Sequence, residues 1–151
     1  MTSQAGWSTR PWSREDIGIV RPWWRRMQAA GMGDWGDGPA DDELAPLGCL
    51  SLLGEDPVAC VFIYMAPSGE YAAIYSAFCD ISLPGHACFR GISLAARGAI
   101  DMCRDAGMRQ VVNYTRTPAV VKAFELAGFR HDGSEYTHVY LSDEVIPWLE
   151  P

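Results

Sequence analysis

The chain has 151 residues, 48% hydrophobic and 21% charged, with a formal net charge of −7 and a pI near 4.8. A domain of this length buries roughly 70% of the surface its unfolded chain exposes, so residues 1–151 read as one globular domain and disorder is excluded. The acidic balance argues against a protein that works by neutralising nucleic-acid phosphate, and the apolar runs 44–53 and 58–66 fall short of the ~20 residues of a membrane span.

Ser13 followed by Asp16 has the spacing of a capping box, and Ile17, Val20, Trp24 and Met27 then recur at helical intervals until Gly31. Pro22 lies inside that pattern and predicts a kink, or two short helices in place of one. Residues 31–46 hold four glycines, two prolines and five acids, the composition of a long loop. From Leu47 to Cys79 three β-rich runs (47–53, 58–65 and 71–79) are separated by Gly54-Glu55-Asp56 and Pro67-Ser68-Gly69, which predicts an antiparallel meander. Pro84-Gly85 breaks the last run, and Ile92, Ala95, Ala96, Ala99, Ile100 and Cys103 then form the apolar stripe of a long helix closed by Gly107. A buried-type strand follows at 109–114, then a short helix opened by Thr117-Pro118 and ended by Gly128. Residues 129–141 read as strand with a turn at 132–134, and the tail 142–151 as at most one helical turn. This order gives an α+β fold, a mixed and mostly antiparallel sheet flanked by helices.

Five cysteines are widely spaced with no C-x-x-C, so they read as buried thiols in a reducing compartment. The first residues contain no apolar stretch of signal-peptide type, and the expected location is the cytoplasm. Five of the six tryptophans lie within the first 35 residues and five of the twelve basic residues within the first 26. Adjacent helical positions do not share a face, so one of Trp23 and Trp24 is a candidate for a partner surface, against the alternative that both are core.

The segment from Tyr71 to Phe129 resembles the GNAT superfamily of acyl-coenzyme A dependent N-acetyltransferases. The resemblance is carried by VVNYTRTPAVVKAFELAGF, with an aromatic-x-x-x-Gly-Phe ending at Phe124 and Gly128-Phe129. It implies a GNAT-like fold, with a short first strand near 9–12 and a coenzyme-binding helix ending at Asp105-Ala106-Gly107. It also implies acetyl-coenzyme A as co-substrate and a small-molecule or peptide amine as acceptor. The family's Arg/Gln-x-x-Gly-x-Gly/Ala helix start is matched best by Arg90, Gly91, Ser93 and Ala95, which the resemblance assigns to the coenzyme; a second register begins the helix near Ala87. In either register the amides at a helix start attract diphosphate. The family's tyrosine proton donor stands here as Phe124, which has no proton to give. Tyr114 is then the candidate acid and Asp80 the candidate base, with Tyr136, Tyr140, Glu70 and His86 as alternatives of suitable type. The resemblance places the acidic loop 34–43 where the acceptor enters, so that it would attract a cation, against the alternative of a merely solvated loop. The alternative reading is a GNAT-fold protein without catalysis, an assembly component of a phage or bacterial complex that acts through its Trp/Arg-rich helix. A second copy of the chain or a protein partner stays open on both readings, and no nucleic acid or membrane is expected.

Overall fold

The computed structural model describes residues 6–32, 47–115, 117–131 and 136–140, the last five by their backbone alone. The acidic loop, the turn at 132–134 and the tail expected from the sequence lie outside the described residues.

One seven-stranded sheet organises the chain in the order β1-β2-β3-β4-β5-β7-β6. Its strands are β1 (Trp7–Pro11), β2 (Leu47–Leu53), β3 (Asp56–Met65), β4 (Tyr71–Cys79), β5 (Gln110–Tyr114), β6 (Arg130–His131) and β7 (Tyr136–Tyr140). Every neighbouring pair is antiparallel except β4 and β5. Parallel neighbours need a long crossover. Helix α2 (Gly85–Asp105) supplies it. The first strand falls two residues ahead of its expected start, and the three-strand meander is present with its middle strand also starting two residues early, at Asp56.

Helix α1 (Ile17–Ala29) follows a 3₁₀ turn at Arg14–Asp16. It runs unbroken through Pro22, so the expected restart does not occur. The proline sits early, where little of the helical hydrogen-bond ladder precedes it. The capping box is present in full. Asp16 Oδ2 accepts the Ser13 N–H at 2.8 Å, and its carboxylate takes a two-pronged bond from Arg10, with Nη2 to Oδ1 at 2.7 Å and Nη1 to Oδ2 at 2.9 Å. The Arg10 guanidinium is the main reason the Asp16 carboxyl is held below its ordinary value of 3.8.

Trp23 and Trp24 are both buried, 4% and 5% exposed, as are Trp7 and Trp12. The expectation that one of the adjacent pair faces a partner is therefore corrected. The bulk of two indoles widens the buried arc of α1 beyond the single stripe that strict helical spacing gives. Trp12 meets Phe62 edge-on at 4.9 Å between ring centres.

Both α1 and α2 pack on β4 without packing on each other, which places them on opposite faces of the sheet. The α2 contact is close because small residues line it. A Cβ on Gly98 would lie 2.5 Å from Cys49 Sγ, and one on Gly91 would lie 2.7 Å from Val58 Cγ1. Helix α3 (Pro118–Leu126) packs on α2, and Arg97 of α2 donates to the Leu126 carbonyl. The core between these layers centres on Leu50, Phe62, Ile74, Phe78 and Phe124, each fully buried and contributing about 2 kcal/mol of transfer free energy.

Candidate functional site

Strands β4 and β5 are paired over four residues, from Tyr71 with Gln110 to Ile74 with Asn113. Beyond that point β4 continues to Cys79 while remaining bonded to β3, and β5 ends at Tyr114. Among the described residues no strand pairs with β4 on that side after Ile74. The result is a notch in the sheet with unused main-chain groups along one wall. A bulge sharpens it: Ile63 faces Ile74 and Phe62 faces Ser76, so Tyr75 is an extra residue at the point of divergence.

Past Cys79 the chain turns through Asp80–Pro84 directly into α2, so the start of that helix stands at the open end of the notch. Its N-cap is Pro84, which carries no side-chain acceptor, and no side-chain cap bond is made. The amides of Ala87 and Cys88 reach back to the Pro84 carbonyl. Those of Gly85 and His86 have no acceptor among the described residues. Gly85 has open space where a Cβ would stand. An uncapped, sterically open helix start is an anion site in waiting, because donors and dipole point the same way.

This geometry corrects the helix register. The helix begins at Gly85, two residues ahead of the second expected register at Ala87 and five ahead of Arg90, so Gly91, Ser93 and Ala95 lie in its second and third turns and are buried against the sheet. Their amides are inside the helical ladder and not at its mouth. Arg90 is exposed, with its guanidinium 5.7 Å from the centre of the Trp7 ring on β1, the far edge of the sheet from the notch. The apolar stripe does extend back through Gly91 and Ala87 at i, i+4 spacing. Gly91 has no side chain and interrupts the stripe ahead of Ile92, which is why the sequence pattern started late.

Tyr114 stands beside the notch at the end of β5, about half exposed. Asp80 does not stand with it. Asp80 lies five residues beyond Tyr75, roughly 17 Å of strand away. Its Oδ1 accepts from the Ser82 amide at 3.0 Å and the Ser82 hydroxyl at 2.6 Å, and it faces Arg26 of α1 at 3.5 Å. Asp80 thus braces the turn that presents α2. Glu70 precedes β4 at its other end, His86 is exposed in the first turn of α2, and Tyr136 is the β7 residue paired with Tyr114. Phe124 is fully buried, edge-on to Phe129 at 4.9 Å, and serves the core.

On the sheet face that carries Phe62, Tyr64, Tyr71 and Tyr75 are each about half exposed around the small, partly exposed Ala73. No cysteine near the notch is poised as a nucleophile. Burial pushes the Cys79 thiol up to about 12 and raises that of Cys88. All five cysteines are free thiols, as expected. No group of three or more metal-ligating side chains occurs among the described residues. No helix among them is long and apolar enough to cross a membrane.

Sequence reading also passed over Asn113, which lies in the buried phase of β5 with Val111. The signal was there: a polar residue at an inward position of an apolar strand needs a reason.

No protein-family model matches the chain, and no curated protein matches it in sequence. Solved structures do. A GCN5-related N-acetyltransferase from Kribbella flavida superposes with a TM-score of 0.72 at 15% identity, covering 89% of this chain and 98% of that one. An N-acetyltransferase from Staphylococcus aureus Mu50 gives 0.68 at 13% identity over 90% and 99% of the two chains. An aminoglycoside acetyltransferase in complex with coenzyme A gives 0.65 at 13% identity over 89% and 94%. With β4 and β5 splayed, α2 crossing between them and this set of structural neighbours, the chain has the fold of the GNAT superfamily of N-acetyltransferases.

Proposed function

We propose that this chain binds acetyl-coenzyme A across the start of α2 and along the notch, and transfers the acetyl group to an amine. The observation that carries the reading is the coincidence at one end of the sheet of an uncapped helix start and an unpaired strand edge. Diphosphate is suited to the first, and an extended diamide arm to the second. Acetyl-coenzyme A supplies an acetyl group activated as a thioester. The amides of Gly85 and His86 would hold the diphosphate, and free N–H groups along β4 would orient and polarise carbonyls laid beside them.

The Tyr114 phenol is the proton donor in this reading, since it stands at the divergence point with a transferable proton. The acceptor approaches over the face of Tyr64, Tyr71 and Tyr75. Aromatic faces attract a cationic amine, and the net charge of −7 favours its arrival. We place the protein in the cytoplasm, in keeping with its free thiols. The alternative of a non-catalytic assembly module loses its main support, because the tryptophans it relied on are buried.

Calorimetric titration with acetyl-coenzyme A and with adenosine 3′,5′-bisphosphate tests the reading. One-to-one binding of both is expected, with the bisphosphate weaker. No heat from either ligand at ~1 mM, the weak end of measurable affinity, overturns it.

A further inference from the structure

Asn113 lies at the last paired position of β5, opposite Ile74, where the two strands part. Its Nδ2 donates to the Ile74 carbonyl at 2.7 Å. A carbonyl only accepts, so this bond fixes which end of the side-chain amide faces β4. The other end, Oδ1, is buried and has no hydrogen-bond partner among the described residues, in a residue only 4% exposed. Buried acceptors are nearly always paired, and leaving one unpaired is costly. Among the uncharged side chains described, Ser51 Oγ and Trp24 Nε1 share that condition, but Ser51 Oγ is closed in beneath Gly91 and Trp24 Nε1 belongs to α1. Asn113 stands where the sheet is open.

We infer that Asn113 Oδ1 accepts one of the two amide N–H groups of the pantetheine arm, making Asn113 a positioning residue that sets how deep the arm seats in the notch. The inference rests on the coenzyme reading above and adds a specific atom to it. The Nδ2 bond to Ile74 holds the acceptor still, so that little side-chain freedom is lost when the ligand arrives. The strand edge alone offers a repeating row of donors and acceptors, along which an extended arm could slip. A single fixed acceptor at the apex selects one register.

The test compares ligands that differ only in the arm. For Asn113→Leu, the Kd for acetyl-coenzyme A is expected to rise about tenfold while that for adenosine 3′,5′-bisphosphate, which lacks the arm, stays within about twofold. On the unaltered protein, two coenzyme analogues are used, each with one arm amide replaced by an ester. One of them should lose about tenfold, and Asn113→Leu should bind that analogue no more weakly than it binds the coenzyme. The analogue series needs no variant to fold. The inference is overturned if Asn113→Leu weakens both natural ligands alike, or if neither ester analogue loses affinity on the unaltered protein. Failure of the unaltered protein to bind the bisphosphate or acetyl-coenzyme A would overturn the coenzyme reading itself, a distinct result.

Discussion

The two long helices begin in opposite ways. Before α1, Ser13, Asp16 and Arg10 satisfy one another at 2.7 to 2.9 Å around a 3₁₀ turn whose Arg14 carbonyl takes the Ile17 amide, so the entry to the helix is closed by the turn and its capping box. Before α2, Pro84 brings no acceptor, Gly85 brings no side chain, and the first amides are left pointing outward. Both helices are held by burial, so neither needs its cap to form. A cap strengthens a helix by about 1 kcal/mol, and its omission at α2 leaves that stabilisation to be supplied by a ligand.

The comparison breaks most readily at the closed end. Asp16→Ala removes the carboxylate from both Ser13 and Arg10, and denaturation should show a loss of about 2 kcal/mol, or roughly 6 °C in Tm, with coenzyme affinity unchanged. Because Arg10 is partly exposed, a larger loss is not expected. The same pair sets an acid limit. The Asp16 carboxyl titrates lower in the folded chain than its ordinary 3.8, so its contribution is complete above that value and disappears as pH falls through the folded value. The stability difference between the native chain and Asp16→Ala should therefore narrow below about pH 4; a gap that stays constant to lower pH would show that the pair is not the cause.

At the open end the expected sign reverses. Pro84→Asp supplies the missing cap, which adds about 1 kcal/mol to α2 less about 0.5 kcal/mol for losing the proline's restraint on the unfolded chain. Calorimetry should nevertheless show about tenfold weaker coenzyme binding, since the new carboxylate takes the amides and repels phosphate. Gain of both stability and affinity would mean that the ligand sits elsewhere. Arg90→Ala should change least. Its guanidinium lies over Trp7, and its loss should cost about 0.5 kcal/mol of stability with coenzyme affinity altered less than about twofold.

Much of the architecture could be read from local pattern, because its causes are local. Thr117-Pro118 starts α3 and Gly128, at φ 110°, follows its end. The strand runs 47–53 and 71–79 match β2 and β4 residue for residue. The site was read less well, since its parts depend on what packs against them. Gly91 looked like a phosphate-binding glycine, yet its missing Cβ makes room for Val58 and Ala59. Asp80 looked like a free base, yet Ser82 and Arg26 occupy it. Phe124, by contrast, could be set aside from sequence, because a phenyl ring has no proton to donate in any fold.

What the sequence determined by itself was the order of elements, the capping box of α1 and the small-residue face of α2, all consequences of spacing along a chain with fixed helical and strand periods. What only the tertiary structure decided was where β4 parts from β5, which helix start stays open and which buried amide lacks a partner. Those depend on which distant strand fills each hydrogen-bonding edge, and no local period encodes that.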